Sequence, residues 1–245
     1  MAIRDFTSQR LRLTAPLVAG ASVACSPEQA SYLRSVLRMA DGSGLLAFNG
    51  RDGEWQVTLR YQGKRGASLE VGAQSRPQEH GPDLWYVFAP LKRSRLDYMV
   101  QKAVEMGASR LVPVLTQHTQ AERINLDRMR SNVIEAAEQC GILSLAEVNE
   151  PVKLAALLSS WPADRALIFC DEGAPQANPL TALQSIPRGP IAVLIGPEGG
   201  FSDVERQAIS AKPYAHPVSL GPRIMRADTA AVAALALVNA TLGDW

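Results

Sequence analysis

The segment Ile195–Ser202 has the residue types and spacing best suited to ligand chemistry in this chain. It reads IGPEGGFS and joins a predicted buried strand to a predicted helix. Its three glycines permit positive φ angles and close approach of a ligand, and open α/β sheets bind ligands where such strands end. A tight turn without a ligand explains the segment about equally well. Neither GxGxxG nor GxxxxGK[ST] is present, so a phosphate-binding loop is less favoured.

A second segment of the same kind is Ser219–Thr229, which reads SLGPRIMRADT and lies between a short predicted strand and a predicted helix. Asp228 and Thr229 suit the first turn of that helix, where negative charge and hydroxyl groups are favourable. Arg223 and Arg226, just before it, could hold an anion or a nucleic-acid backbone. A capped helix with solvated arginines is the alternative, and composition alone favours it.

A third cluster is basic and begins another predicted helix. Lys92, Arg93 and Arg95 lie together there, with Lys102 further along. Positive charge at a helix N-terminus opposes the helix dipole, so a purely structural role is less favoured than phosphate binding. A solvated helix end remains the alternative.

Other chemistries have little support in the sequence. The three histidines have no metal-ligand spacing, and the three cysteines form no CxxC pair, so neither a zinc ribbon nor a disulfide framework is indicated. No GxSxG motif occurs, and Cys170 has no recognisable general base. Residues 1–13 lack the apolar core of a signal peptide, and the longest apolar tract, Ala230–Ala240, is too short to span a bilayer. We therefore expect a cytoplasmic protein.

The first part of the chain, residues 1–74, is predicted to be a small β-barrel with one helix near Pro27–Arg38. Short β-like runs at 44–49 and 55–61 flank Asn49-Gly50 and Asp52-Gly53, which predicts a hairpin. Residues 74–83, with two prolines and no apolar side chain, are the predicted linker to a second domain at 75–245.

The second domain alternates strand and helix patterns, which predicts an α/β fold with a mostly parallel sheet. The runs 166–170 and 191–195 are continuously apolar, as in strands buried on both faces. The other predicted strands are 84–89, 111–115 and 216–220, and the predicted helices are 94–106, 125–140, 152–160, 202–211 and 228–242. Ser202 with Glu205, and Ser94 with Asp97, are predicted capping boxes.

Taken as a total, the charge balance argues against an electrostatically driven nucleic-acid binder. The 245 residues include 25 basic and 24 acidic side chains, a net charge of +1. The charge is unevenly distributed, however: residues 1–75 and 76–130 each carry nine basic and six acidic side chains, whereas 131–205 carry three and ten. Basic charge is thus concentrated in the first half, where nucleic-acid phosphates would dock and where binding would weaken as salt rises.

Together these segments resemble one family over nearly the whole chain. LIGPEGGFSDVE (Leu194–Glu205) and SLGPRIMRADTAAVAAL (Ser219–Leu235) look like the paired cofactor-binding motifs of the RsmE family, the ribosomal RNA small subunit methyltransferases E, in the SPOUT superfamily. KRSRLDYMVQKAVEMGASRLVPV (Lys92–Val114), EAAEQCG (Glu135–Gly141) and SYLRSVLRMADG (Ser31–Gly42) match it too. The sequence departs from the family at Ile142, where arginine is usual.

The resemblance implies a PUA-like RNA-binding β-barrel followed by a SPOUT methyltransferase domain with a C-terminal trefoil knot, acting as a homodimer. The implied reaction transfers a methyl group from S-adenosylmethionine to N3 of a uridine in 16S ribosomal RNA, leaving S-adenosylhomocysteine, without a metal. The small ribosomal subunit is then the partner, and no membrane is involved.

The same resemblance assigns residues to roles. Arg226 would favour the uridine anion, and Glu198 would act as base or order the glycine turn. The implied cofactor-binding residues are Leu194, Ile195, Gly196, Gly199, Gly200, Ser219, Leu220, Gly221, Ile224 and Met225. RNA contacts are expected from Arg10, Arg34, Arg38, Lys92, Arg93 and Arg95.

Three other functions remain open at this level. One is another SPOUT activity such as ribose 2′-O-methylation, and a second is a non-catalytic RNA-binding factor in ribosome assembly. The third is an α/β enzyme acting on a small nucleotide without RNA.

Overall fold

The computed structural model describes residues 5, 7–120, 123–174 and 178–245. The chain forms two compact units. Unit 1 takes the described residues up to His80 together with Ala137–Leu145, and unit 2 comprises Gly81–Ala136 and Ala146–Trp245.

Unit 1 is built on a five-stranded mixed sheet. Its strands are β1 (Arg10–Arg12), β2 (Ser22–Ala24), β3 (Gly44–Phe48), β4 (Glu54–Gln62) and β5 (Gly66–Arg76), in the order β1-β3-β4-β5-β2. Only the β1–β3 pairing is parallel. The predicted hairpin is confirmed as β3–β4, and Gly50 and Gly53 in its loop have φ of +86° and +82°, which glycine adopts without steric cost.

The predicted helix of unit 1 begins where expected. In α1 (Pro27–Ser31), the Ser26 side chain accepts from the Gln29 backbone N–H, and the Gln29 side chain accepts from the Ser26 backbone N–H. The chain continues as a π-helical segment, Tyr32–Val36. The helical stretch therefore ends two residues before Arg38, which takes a left-handed φ of 53°.

A buried carboxylate connects three parts of unit 1. Glu54 is 1% exposed and accepts from Arg10 Nε at 2.9 Å and from Arg76 Nη2 at 3.1 Å. Arg76 also donates to the carbonyl oxygen of Gly141 at 2.7 Å, which ties 137–145 to the strands. Burial raises the pKa of Glu54, but the hydrogen bonds from Arg10, Ser75 and Arg76 outweigh it and hold that pKa below its usual value.

Arg10, one of the predicted RNA contacts, belongs to this cluster. It is 8% exposed and its guanidinium is hydrogen-bonded to Glu54. Moving the Arg10 guanidinium to a phosphate would leave a buried carboxylate with less compensating charge, which is costly. The structure therefore gives Arg10 a place in the core of unit 1, and its contact with RNA stays a sequence-based prediction.

The 137–145 segment completes a small apolar cluster in unit 1. Phe48, Ala137 and Leu143 are buried together, and Ile142 packs against them. Ile142, the departure from the family pattern, therefore makes an apolar contact where arginine is usual. The division at His80, with β5 reaching Arg76, also differs from the predicted boundary at residue 74, because the sheet continues into the predicted linker.

Unit 2 is built on a parallel sheet. Its strands are β6 (Leu84–Phe88), β7 (Arg110–Leu115), β8 (Glu147–Val148), β9 (Val152–Lys153), β10 (Ala166–Cys170), β11 (Ile191–Ile195) and β12 (Ala215–Val218). They lie in the order β12-β10-β11-β6-β7-β8, and β9 also pairs with β7. The helices are α2 (Arg93–Glu105), α3 (Leu126–Cys140, whose last turn belongs to unit 1), α4 (Leu154–Ser159), α5 (Pro179–Gln184), α6 (Asp203–Ser210) and α7 (Ala227–Thr241). The predicted mostly parallel α/β fold is confirmed.

The two predicted capping boxes have different outcomes. Ser202 and Glu205 form one at the start of α6. Ser94 and Asp97 do not, because α2 begins at Arg93 and Asp97 is engaged elsewhere. Its carboxylate accepts from Arg128 Nη2 at 2.6 Å and from Asn132 Nδ2 at 2.9 Å. A tertiary ion pair has replaced the local cap.

We expect Glu54→Gln to lower the free energy of unfolding by about 3 kcal/mol, because it removes one charge from a buried ion cluster. Urea denaturation measures the change. Glu70→Gln is the matched control, since its exposed pair with Arg60 should contribute less than about 1 kcal/mol. Equal effects of the two substitutions would contradict the assigned role of Glu54.

The difference between wild type and Glu54→Gln should also depend on pH. Because the pKa of Glu54 is lowered on folding, its stabilising contribution is complete above the unfolded-state pKa of about 4.3. It is lost as pH falls through the lower folded-state pKa. The two stabilities should therefore converge in acid and stay separated at neutral pH.

Candidate active site

A cavity of about 620 Å³ lies in unit 2 where β10, β11 and β12 end. These three parallel strands are neighbours in the sheet, so the loops that follow them meet at one edge. Nine of the ten predicted cofactor-binding residues line it: Ile195, Gly196, Gly199, Gly200, Ser219, Leu220, Gly221, Ile224 and Met225. The predicted catalytic residues Arg226 and Glu198 line it as well.

Leu194 is the predicted cofactor residue that the cavity does not include. It is 1% exposed and packs in the apolar core of unit 2. Side chains alternate across a strand, but both faces of this parallel sheet are covered. Leu194 therefore supports the site from within the core, and its side chain does not line the cavity.

The glycine loop, Gly196–Phe201, has a conformation that only small residues allow. The Gly200 N–H donates to the carbonyl of Pro197 at 2.9 Å, and Gly200 has a φ of +68°. At Gly196, a Cβ atom would lie 2.6 Å from the ring of Phe201. Phe201 is buried and packs edge-on against Phe169, with ring centroids 5.2 Å apart. The absence of a side chain at Gly196 thus lets an aromatic ring fold back under the loop.

The arginine loop, Ser219–Arg226, forms the opposite part of the lining. Its N-terminal end is ordered by the Gly221 N–H, which donates to Ser219 Oγ at 3.3 Å. Arg226 is the N-cap residue of α7 and caps it without a side-chain hydrogen bond. Its side chain is exposed and lines the cavity, so its guanidinium is placed to meet a ligand.

The end of β10 contributes three residues that the sequence analysis did not assign to the site. Cys170, Asp171 and Glu172 all line the cavity. Arg206 of α6 pairs with the buried Asp171 and, at 3.4 Å, with the exposed Glu172. Burial raises the pKa of Cys170 to about 12, so this thiol stays protonated at neutral pH and is a poor nucleophile. In the sequence, the only indication that these three residues belong to the site is that a predicted strand ends at Cys170.

The basic cluster at the start of α2 divides between two environments. Arg95 lines the cavity and forms an ion pair with Glu198, whereas Lys92 is exposed. The side chain of Arg93 lies outside the described part of the structure. Arg95 is therefore part of the candidate site, although its basic cluster was expected to be separate from the two loop segments.

The two other predicted RNA contacts lie in unit 1. Arg38 is exposed. The Arg34 guanidinium lies 4.1 Å from the ring centroid of Tyr61 and donates to the carbonyls of Gly63, at 3.2 Å, and Lys64. Arg34 thus orders the β4–β5 turn, in which Lys64 and Arg65 are exposed.

Two kinds of feature are absent from the described residues. Within 5, 7–120, 123–174 and 178–245, no three His, Cys, Asp or Glu side chains cluster as metal ligands would. Nor is any helix in those ranges both long enough and apolar enough to cross a bilayer.

The lining suits an organic ligand with both apolar and charged parts. Ile195, Leu220 and Met225 provide apolar surface, and the glycines let backbone groups approach closely. Carboxylates and guanidinium groups surround the same space. Its volume falls within the range of about 300–1,000 Å³ that is typical of small-molecule and cofactor sites.

Comparison with known proteins gives consistent matches. An RNA methyltransferase domain family model matches residues 78–239, and an RNA methyltransferase PUA domain model matches residues 26–72. Ribosomal RNA small subunit methyltransferase E of Synechocystis is 31% identical over 238 residues, which is 95% of this chain and 78% of that protein. The protein of the same name from Rickettsia conorii is 28% identical, with 87% of each chain covered.

A solved structure matches both units. It is a ribosomal RNA small subunit methyltransferase E from Neisseria gonorrhoeae bound to S-adenosyl methionine, with a TM-score of 0.87 and 25% identity. The match covers 97% of this chain and 99% of that one.

We expect Gly196→Ala to close part of the cavity. A Cβ 2.6 Å from the Phe201 ring must push that ring out of its packed position, at a cost of about 1–3 kcal/mol. Thermal denaturation and ligand calorimetry should both show the effect. Gly44→Ala is the control, since nothing lies within 4 Å of its Cβ position. Unchanged stability and binding in Gly196→Ala would show that the close packing is unimportant.

Proposed function

The chain belongs to the ribosomal RNA small subunit methyltransferase E family, and from that premise we propose that it methylates N3 of a uridine in 16S ribosomal RNA. As a family member it is an S-adenosylmethionine-dependent ribosomal RNA methyltransferase. The observation that carries the proposal is the cavity, because it brings together the glycine loop and the arginine loop, which includes Arg226. The assignment of N3 rests on the family resemblance and on the chemistry below.

The residues present fit S-adenosylmethionine. Its adenosine and methionine parts need apolar surface, closely approaching backbone and charged partners, and the cavity lining supplies all three. When bound, this cofactor supplies an electrophilic methyl group on a cationic sulfonium. Ile195, Gly196, Ser219 and Gly221 would hold it through backbone and apolar contacts, and catalysis would depend mainly on positioning.

N3 of uracil lies on the Watson–Crick edge and carries a proton, so the target base must be unpaired or extruded. Attack requires loss of that proton and an environment that favours the anion. Arg226, exposed at the cavity and placed at the N-terminus of α7, provides positive charge there. We assign it the stabilisation of the uridine anion.

Glu198 is the candidate base, and its ion pair with Arg95 constrains that role. The two side chains are 42% and 38% exposed, so the pair lies at the rim of the cavity. The ion pair with Arg95 holds this carboxylate in one position. It can therefore accept the N3 proton once the substrate displaces Arg95, and it otherwise orders the glycine loop.

The RNA surface proposed for unit 1 is centred on the β4–β5 turn. Lys64 and Arg65 are exposed in this turn, and Arg34 orders it through hydrogen bonds to its carbonyls. Arg38 is exposed after the helical segment of the same unit. Lys92 in unit 2 adds a further exposed cation. Arg93, whose side chain is outside the described structure, stays a sequence-based prediction. Contacts of this kind bind phosphates without reading sequence.

A homodimer is also part of the proposal, and α7 supports it. From Ala230 to Val238 every side chain of this helix is apolar, yet Val232, Ala233, Ala236 and Leu237 are only half-buried. Such a helix is normally covered, and a second copy of the chain is the cover that the family resemblance implies. Light scattering should then give about twice the chain mass of 26.4 kDa.

The trefoil knot and the cytoplasmic location remain proposals as well. The position of β12 beside β10, on the side away from β11, supports a chain crossing at this edge of the sheet. An experimental map traced through residues 170–241 would reveal a knot. The cytoplasm follows from a ribosomal substrate, and cell fractionation would test it.

Labelled S-adenosylmethionine and small ribosomal subunits from cells lacking the enzyme test the reaction directly. After nucleoside digestion, N3-methyluridine is the expected product. A 2′-O-methyl nucleoside would replace the N3 assignment with another SPOUT activity. No transfer, with the protein folded, would favour a non-catalytic assembly factor, and transfer to free nucleotides would indicate a small-molecule enzyme.

We expect Arg226→Ala to reduce methyl transfer about 100-fold, the usual loss when a charge-stabilising group is removed. The fold should survive because the side chain is exposed. Single-turnover assays on small subunits measure the loss. Arg188→Ala, which removes an exposed arginine before β11, is the matched control and should leave turnover unchanged. Full activity in Arg226→Ala would eliminate the assigned role.

A further inference from the structure

The turn Thr116–Thr119, which follows β7, contacts the glycine loop but has no role in the function described above. The Thr116 N–H donates to Thr119 Oγ1 at 2.9 Å, and the two hydroxyl oxygens are also 2.9 Å apart. These bonds close the turn on itself. β6 lies between β7 and β11 in the sheet, so the turn reaches the glycine loop across the end of an intervening strand.

His118 makes the central contact. Its Nδ1 lies 3.1 Å from the carbonyl oxygen of Gly199 and 3.1 Å from that of Gly200. Carbonyl oxygens only accept hydrogen bonds, so Nδ1 must carry a hydrogen. A neutral His118 is therefore the Nδ1–H tautomer, with Nε2 left as the acceptor.

Two further observations show that the turn and the loop form one packed arrangement. A Cβ on Gly199 would lie 3.3 Å from the Cβ of His118, so the backbone and the imidazole are already in close approach. The Gln117 N–H donates to Glu205 Oε1 at 2.8 Å, and Glu205 Oε2 accepts from the Ser202 N–H at 3.0 Å. The turn thus holds the glycine loop and the cap of α6 together.

We propose that His118 is a positioning residue that sets the glycine loop for S-adenosylmethionine. Because a peptide unit is planar, holding its carbonyl oxygen also fixes the direction of the following N–H. His118 does this for the peptides after Gly199 and Gly200, which line the cavity. A loop ordered before binding has less conformational entropy to lose when the cofactor enters.

The inference rests on the proposed function and makes a distinct kinetic claim. Loop order contributes equally to the ground state and the transition state once the cofactor is bound. His118 should therefore affect the KM and Kd for S-adenosylmethionine and leave kcat nearly unchanged. A group in the chemical step would lower kcat instead.

The matched variants are His118→Asn and His118→Leu. Asparagine offers an amide N–H near the position of Nδ1, whereas leucine has a similar size and no donor. Calorimetry should show S-adenosylmethionine binding about tenfold weaker in His118→Leu, the effect of losing hydrogen bonds worth about 1.4 kcal/mol. His118→Asn should bind within about twofold of wild type. His80→Leu, at an exposed histidine of unit 1, is the control.

A second measurement does not require activity. Nitrogen-15 NMR of the wild-type imidazoles at pH 8 should show a protonated Nδ1 for His118, assigned by its loss in His118→Asn. An Nε2–H tautomer would overturn the contact, even if His118→Leu fails to fold. Equal affinities of His118→Leu and wild type would overturn the positioning role. If wild type itself binds no S-adenosylmethionine, the proposed function fails instead, and the NMR result still decides the contact.

Discussion

The parallel pairing of β12, β10 and β11 is the constraint on which the candidate active site depends. All three strands are short, β10 and β11 are apolar, and the hydrogen-bonded registers place Cys170, Ile195 and the start of the arginine loop at one edge. Described residues from all three following loops line the cavity. The ladder of backbone hydrogen bonds brings them within reach of one ligand, and the packing of Phe201 beneath Gly196 fills the space under the glycine loop.

A buried carboxylate has the corresponding organising role in unit 1. Glu54 compensates the charges of Arg10 and Arg76 inside the unit, and Arg76 in turn binds the carbonyl of Gly141. The last turn of α3 and the residues after it are thereby attached to the strands of unit 1, although they are distant in sequence. Ile142 adds apolar contact to the same attachment. The two arginines lie in different environments: Arg10 is buried in this cluster, whereas Arg38 is exposed, and its contact with RNA stays a prediction.

The sequence predicted turns and helix caps well where neighbouring residues alone determine the backbone conformation. The β3–β4 hairpin follows from glycines that allow positive φ, and the cap of α6 follows from a serine three residues before a glutamate. The same reasoning failed at Ser94, because Asp97 finds a stronger partner in Arg128 on another helix. It also missed Asp171 and Glu172, whose relevance depends on which strands are neighbours.

The sequence by itself determined the class of this protein: the alternating strand and helix pattern, the two loop motifs and the family resemblance sufficed for an α/β RNA methyltransferase with a PUA domain. Most of the residues that line the cavity could also be identified, because a glycine-rich turn after a strand is determined by neighbouring residues in the sequence. Only the tertiary structure decided that Arg10 and Leu194 are buried, that Arg95 pairs with Glu198 and that His118 meets the glycine loop. These facts depend on strand order and helix packing, which join residues tens of positions apart and leave no periodic or compositional trace along the chain.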